Sequence, residues 1–477
     1  MEIRRNIVLY SLSLAFFMLS ESACFSQQLS RPNVIFILAD DLGYGDIGIY
    51  GQKLIRTPNI DELGKSGMIF TQFYAGSSVC APSRSTLMTG QHTGHTPIRG
   101  NKENKPEGQF PLKSSAFTIA ELFKNAGYVT GDFGKWGLGF VGSEGDPNKQ
   151  GFDHFFGYNC QRLAHDYYPD HLWDNNKRVD LPNSLTKPMV YAPDLIQKKA
   201  LAFLGANQNQ PFFAFLSYTL PHAGLELPVN DKLFLEYKNK FKELPKNVKP
   251  VKTEPSLYVG QPYPRSTYAA MVTRLDNYVG EIMAKLRELK IEKNTLIIFS
   301  SDNGPHVEGG NDPDFFNSSG GFRGTKRDLY EGGIREPMLM SWPAVIKPGS
   351  KSQQIAAFWD FLPTFAEITK QKKPLNIDGI SILPILKRGR TSRTHDYLYW
   401  EFHENGGRQA VRMGKWKGVK LNAIENFNSP IELYDLINDP AEKNDIASAN
   451  PAIVKKIAGI MKDSHVENPD FPFTGKP

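Results

Sequence analysis

The sequence predicts an α/β fold: a large, mostly parallel sheet covered by helices on both faces, then a small C-terminal α+β subdomain with an antiparallel sheet. Three observations lead there. Short runs that are apolar along their whole length recur through the chain, and such runs read as buried parallel strands. Segments with three-four apolar spacing alternate with them, as helices covering a sheet do. Beyond residue 391 the pattern changes to short strand-like pieces separated by turns.

The first run, residues 33–39 (NVIFILA), ends in Asp40-Asp41. Residues 211–217 (PFFAFLS) run toward Pro221-His222, and residues 294–300 (NTLIIFS) run into Ser301-Asp302-Asn303-Gly304. Residues 337–342 (PMLMSW) form a fourth run of the same kind. Among the helices, Thr118-Ile-Ala-Glu121 is a capping box, and Gly127 supplies a stop. The strongest helix covers roughly 267–290, where Tyr268, Val272, Leu275, Val279, Ile282, Leu286 and Leu289 keep one apolar stripe. In the tail, residues 396–402, 408–419 and 432–436 read as strands and 451–463 as a final helix. Ligands of open parallel sheets bind beyond the carboxyl ends of the strands, where Asp40-Asp41, His222 and Asp302-Asn303 fall.

Composition excludes several classes. The 477 residues are 40% hydrophobic and 22% charged, which fits a globular chain and excludes a disordered chain, a coiled coil and a multi-span membrane protein. A net charge of +6 without a long basic run argues against a nucleic-acid partner. Arg4 and Arg5 precede an apolar stretch, Ile7 to Leu19, too short to span a membrane. Residues 1–26 are therefore expected to be a signal peptide, and the protein to be secreted or periplasmic. Cys24 raises lipoprotein anchoring, which Glu21 disfavours. The expected division is a catalytic domain over 27–391 and a C-terminal subdomain over 392–477. Only Cys80 and Cys160 follow the leader, so no disulfide framework is expected.

Ser78-Val-Cys80-Ala-Pro82-Ser83-Arg84, running on to Thr89-Gly90, is the most specific segment. Pro82 and Ser83 can start a helix, which sets Cys80 near an N-terminal dipole that favours anions, with Arg84 one turn on. Residue types alone also admit a buried, inert cysteine. Asp40, Asp41, Asp302 and Asn303 are all oxygen donors, a set that suits Ca²⁺ or Mg²⁺ rather than zinc. His222 is a candidate general acid for a leaving alcohol. The stretch from Gly157 to Trp173, with Cys160, His165 and several tyrosines, mixes aromatic and polar groups as sugar-binding loops do. It could equally pack those aromatics on the core.

Cys80-Ala-Pro-Ser-Arg84 followed by Thr89-Gly90 resembles the signature of the formylglycine-dependent sulfatases, in the alkaline-phosphatase superfamily. The resemblance continues through Ala39-Asp40-Asp41-Leu-Gly-Tyr-Gly-Asp46, Gly134-Lys135-Trp136, Ser301-Asp302-Asn303-Gly304 and Glu331-Gly-Gly-Ile-Arg-Glu-Pro337. In the tail it takes in Glu432-Leu-Tyr-Asp-Leu436 and Asp439-Pro440. It implies an alkaline-phosphatase-like fold. It further implies that Cys80 is oxidised to formylglycine by a formylglycine-generating enzyme, that the hydrate is the nucleophile, and that Cys80 also ligates the metal, usually calcium. Arg84 and Lys135 would hold the hydrate, and Lys326 would touch sulfate. Fixed cations there stabilise the charge that displacement at sulfur loads onto oxygen. The expected reaction is removal of sulfate from a sulfated carbohydrate. Phosphonate or phosphodiester hydrolysis, or sulfated-glycan binding without catalysis, are the alternatives.

One position departs from the family. Gly-Lys-Trp-His-Leu-Gly is usual, and that histidine handles a proton on the hydrate; here the segment is Gly134-Lys135-Trp136-Gly137-Leu138-Gly139. His165, His306, His92 and His95 are the histidines near enough in sequence to consider, the last two at or beyond the far end of the Cys80 helix. His165 is preferred, as the base or as a group holding a sugar hydroxyl.

Overall fold

A computed structural model of the chain describes residues 31–184, 186–246, 258, 260–426 and 428–473. The expected signal peptide, with Cys24, lies outside the described residues. The strands are β1 (Asn33–Ala39), β2 (Met68–Phe70), β3 (Phe73–Tyr74), β4 (Val129–Lys135), β5 (His154–Tyr158), β6 (His171–Asp174), β7 (Lys177–Asp180), β8 (Phe212–Ser217), β9 (Thr295–Ser301), β10 (Met338–Ser341), β11 (Ser350–Ser352), β12 (Ala356–Ala357), β13 (Leu398–Phe402), β14 (Arg408–Met413), β15 (Trp416–Leu421) and β16 (Ile431–Asp435). Ten of them form one sheet, in the order β11-β2-β10-β9-β1-β8-β4-β5-β6-β7.

The centre of the sheet, β9-β1-β8-β4-β5, is parallel throughout. β1 shows why its sequence lacks alternation. Ile35, Ile37 and Ala39 join one hydrophobic cluster, while Val34, Phe36 and Leu38 join the other. Both faces are therefore core, and every residue of the strand is buried. The Ala192–Ala206 and Pro264–Glu288 helices pack on the first face; the Cys80–Thr89, Ile119–Asn125 and Phe361–Thr369 helices pack on the second. The capping box at Thr118 forms as its sequence predicts, the side chain of Thr118 accepting from the backbone of Glu121.

Two expectations change. The run at 337–342 was expected to be a parallel strand like the other three. Instead β10 lies antiparallel to both β9 and β2. A strand buried on both faces is apolar whichever way it points, so composition carries no direction. The segment 408–419 is two strands rather than one piece. β14 turns into β15 through Gly414-Lys415, with Met413 opposite Trp416 and Gly414 at φ 56°. A two-residue hairpin needs such left-handed backbone, and glycine supplies it without a steric penalty.

β13 to β16 form the separate antiparallel sheet, against which the Pro451–Asp463 helix packs. This subdomain grips the loop that carries Lys326. Arg408 donates to Asp328 at 2.7 Å and also to the carbonyl of Arg327. Deeper in, the Lys417 ammonium lies 2.9 Å from Glu331 and 3.4 Å from Glu442, all three fully buried. No described helix is long and apolar enough to cross a membrane.

The Lys417 pair sets a stability test. Lys417→Met removes the cation that two buried carboxylates share, leaving Glu331 with Arg335 at 3.2 Å and Arg412 at 3.7 Å, and losing one partner of a buried pair costs about 3–5 kcal/mol. We expect a clearly lower urea midpoint, while Lys443→Met at an exposed position shifts stability by less than about 0.5 kcal/mol. Equal midpoints for the two variants would contradict the buried-pair reading.

Candidate active site

Six chain segments meet at the carboxyl edge of the central strands. β1 ends at Ala39, and Asp40 and Asp41 follow it. β4 ends on Lys135 itself, and β9 ends at Ser301, just before Asp302 and Asn303. His222 follows β8, and Lys326 comes from a loop past β9. The Cys80–Thr89 helix brings Cys80 as its first residue, two positions earlier than Pro82 suggests, with Val79 as N-cap. Every residue of that helix is buried.

These side chains form one network. The Cys80 thiol donates to Asp40 at 3.3 Å. Lys135 reaches the other oxygen of Asp40 at 2.6 Å. Arg84 places Nε and Nη2 on one oxygen of Asp302, at 3.1 and 2.9 Å, and donates Nη1 to the carbonyl of Lys135 at 2.6 Å. Lys326 donates to Asp41 at 2.7 Å and to Nε2 of His222 at 3.0 Å. Asn303 donates to Asp41 at 2.7 Å. Asp41 holds φ 63°, a left-handed conformation tolerated by Asp and typical of strained site residues.

Burial and charge set the protonation states. Burial raises Asp40, but Lys135, His222, Arg84 and Lys326 outweigh it and hold the carboxyl well below its usual range. Burial, then the charge of Asp40, pushes Asp302 up to about 7 against the pull of Arg84. Burial and the charge of Asp40 push the Cys80 thiol far up, so an unmodified Cys80 is a protonated and poor nucleophile. Burial, then Lys326, lowers His222 well below its usual value, which keeps the imidazole neutral. Its Nδ1 lies against the carbonyl of Ala223 and Nε2 faces the Lys326 ammonium.

The set fits a hard cation. Three carboxylates, Asp40, Asp41 and Asp302, converge with full burial, and Asp302 is driven toward protonation by its neighbour's charge. The oxygen of Asn303 is buried with no hydrogen-bond partner among the described residues, while its nitrogen is engaged. An unpaired buried carbonyl beside carboxylates is what an oxygen-liganded Ca²⁺ uses. Ligand atoms of Asp40, Asp41, Cys80 and His222 lie within 4.8 Å of one another. Of these, His222 is the least suited to calcium, which prefers oxygen.

The other histidines sort cleanly. The ring of His165 stacks on His222 with centroids 4.7 Å apart and planes 9° apart, and Tyr258 stacks on it at 4.6 Å. Nε2 of His306 donates to the carbonyl of Pro221 at 3.1 Å, with its ring 5.9 Å from that of His222. His92 and His95 stack on each other beside Asp378, against Trp359 and Tyr399, clear of this network. Cys160 is buried, its thiol pushed up to about 11 by burial. Much of the 157–173 stretch packs inward. Tyr158 bonds the carbonyl of Asp166, and the hydroxyl of Tyr167 sits within 2.8 Å of the carbonyls of Thr219 and His222, fixing the His222 backbone.

Some neighbours were not singled out as site residues, although Glu336 lies in the Glu331–Pro337 motif and Gln161 in the 157–173 stretch. Glu336 is fully buried, and neither oxygen has a partner among the described residues; burial, then Asp302, Asp41 and Asp46, push it well up, so it stays neutral. Tyr258 joins the His165 stack from a distant segment. Gln161 fills the space beside Gly137.

The donor set predicts a stability effect. Ligand that binds the folded state alone raises the melting temperature. Chelation should lower it and Ca²⁺ restore it, with Asp302→Asn abolishing the response. A larger response to Zn²⁺ than to Ca²⁺ or Mg²⁺ would refute the oxygen-ligand argument.

Comparison with known proteins agrees with this geometry. Residues 32–371 match the sulfatase family, and residues 321–466 match the C-terminal region of N-sulphoglucosamine sulphohydrolase. Human arylsulfatase A is 31% identical, over 90% of this chain and 87% of its own. An N-acetylgalactosamine-6-O-sulfatase of Bacteroides thetaiotaomicron is 30% identical, over 91% of this chain and 93% of its own. The crystal structure of Ps i-CgsB in complex with k-i-k-neocarrahexaose superposes with a TM-score of 0.75 at 29% identity, over 91% of this chain and 92% of that one. The family match spans every residue of the network from Asp40 to Lys326, and the chain belongs to the sulfatases, hydrolases with Ca²⁺-binding, formylglycine-dependent sites.

Proposed function

We propose that the protein removes sulfate from a sulfated carbohydrate after export, with Cys80 matured to formylglycine by a formylglycine-generating enzyme. The observation that carries the reading is Cys80 at the first position of a buried helix, 3.3 Å from Asp40 and ringed by Arg84, Lys135 and Lys326. The carbohydrate class is supported by one relative named for N-acetylgalactosamine 6-sulfate and one structure holding a neocarrahexaose. The Arg4-Arg5 leader supports export.

Oxidised Cys80, as its hydrate, would supply an oxygen nucleophile; Asp40, Asp41, Asp302 and Asn303 would hold the Ca²⁺, which would add positive charge to the site. Arg84 ties the Asp302 carboxylate to the end of β4, so the metal edge and the Lys135 edge keep one spacing. Lys135 and Lys326 add cations where negative charge grows on the sulfate oxygens. Lys326 donates to Nε2 of His222, so the pair sets a cationic N–H donor and an imidazole side by side, and a leaving oxygen that displaces one from the other can take its proton there. His165 offers its ring face to His222 rather than an edge, which favours support of His222 and contact with the sugar over a role as base.

Two outcomes test these roles. His222→Ala should lower kcat by about 10²–10⁴ on an alkyl sugar sulfate, and far less on 4-nitrophenyl sulfate, whose phenolate leaves without help. An equal loss on both would remove His222 as proton donor. His165→Ala should raise KM for the sugar sulfate with little change in kcat; a fall in kcat alone would make it the base. Strong preference for an aryl phosphodiester over an aryl sulfate would favour the diester-hydrolase alternative. Bound sulfated glycan without sulfate release by aldehyde-bearing protein would favour the binding-protein alternative.

A further inference from the structure

The β4–β5 ladder runs past the strand ends toward the site. Gly134 and Lys135 pair with Gly157 and Tyr158, and then Trp136 donates to the carbonyl of Tyr158 at 3.0 Å and Gly137 to that of Asn159 at 3.1 Å. Gly137 therefore sits two residues beyond the lysine that bonds Asp40. It holds φ 75°, and a Cβ there would fall 2.2 Å from Nε2 of Gln161. The amide of Gln161 thus occupies the space in which a side chain at position 137 would begin.

That amide is unusual. Gln161 is 7% exposed, yet neither its side-chain nitrogen nor its oxygen has a hydrogen-bond partner among the described residues. A buried amide left unsatisfied is costly, and native proteins keep few of them. The backbone around it is pinned: the Gln161 amide N–H donates to Gln109 at 3.2 Å, and Arg162 bonds Glu103 and the carbonyl of Pro106. The oxygen of Asn159, beside Gly137, is also buried and unpartnered. A fixed backbone and a buried head group with its hydrogen-bonding capacity unused describe a preorganised polar group. An amide offers two donors and an acceptor but cannot take up a proton at neutral pH.

We propose that Gln161 is a specificity-determining residue. Its amide reads a ring hydroxyl of the sulfated sugar residue, using the space that Gly137 leaves open. The inference rests on the sulfatase reading above and adds the chemistry that the sugar must present. A site built to hydrogen-bond a hydroxyl discriminates strongly against the analogue that lacks it, because its own polar group is then left unpaired.

The test uses the full-length matured enzyme with galactose and N-acetylgalactosamine sulfates at O4 or O6, their deoxy analogues lacking the ring hydroxyl nearest the sulfate (at C3 for the O4 sulfates, at C4 for the O6 sulfates), and 4-nitrophenyl sulfate. Gln161→Leu should lower kcat/KM on the preferred sugar sulfate about 10–100-fold. It should leave 4-nitrophenyl sulfate within twofold, and narrow the gap between sugar and deoxy analogue by the same factor. Its melting temperature should stay level or rise, because no native hydrogen bond is lost. Gln161→Met gives a second apolar variant should leucine pack badly. An equal loss on all substrates, an unchanged sugar preference, or a lowered melting temperature in both variants would overturn the proposal. Wild-type enzyme that cleaves no sulfate ester would instead overturn the reading beneath it.

Discussion

The site depends on one electrostatic constraint: three carboxylates are held together out of water. Asp40, Asp41 and Asp302 would repel one another at any separation that fits a single site. Arg84, Lys135 and Lys326, each from a different part of the chain, balance them charge for charge. The balance leaves no surplus for an anionic substrate. A divalent cation added to that set supplies the excess positive charge that a sulfate ester and its transition state demand. In a dry interior such fixed charge acts more strongly than it would in water.

The fold meets this constraint with rigid parts. Each carboxylate follows a strand buried on both faces, so its backbone cannot drift without opening the core. Arg84 bridges the ends of β9 and β4 through Asp302 and the carbonyl of Lys135. Tyr167 fixes the backbone at His222, and the C-terminal sheet holds the Lys326 loop through Arg408. The subdomain is thus tied to the chemistry through a loop, although its strands carry none of the reacting groups. The segment 157–173 then lies against this frame, with His165 stacked on His222 and Gln161 set beside Gly137.

What the sequence revealed follows from what is local. β1, β8 and β9 are legible because burial on both faces writes an unbroken apolar run, and the polar residues that end each run are then conspicuous. The Cys80 helix is legible because Pro82 and Ser83 favour a helix start and Gly90 stops it at φ 69°. The direction of β10 was not legible, since direction leaves no mark on a run buried on both sides. Nor were the short strands β5, β6 and β7 around the 157–173 stretch, where polar residues interrupt the pattern. The stack of Tyr258, His165 and His222 joins three distant segments, so no spacing could announce it. Gly137 was visible as a missing histidine, but the residue that fills its space comes from the neighbouring strand's extension.

The central claim is that this buried, charge-balanced site works through an oxidised Cys80 and not through a thiol. Mass spectrometry of the peptide containing Cys80, from enzyme that turns over a sulfate ester, tests it most directly. The account predicts an aldehyde about 18 Da lighter than the thiol form, in proportion to activity across preparations. A fully active preparation carrying only the unmodified thiol would contradict it.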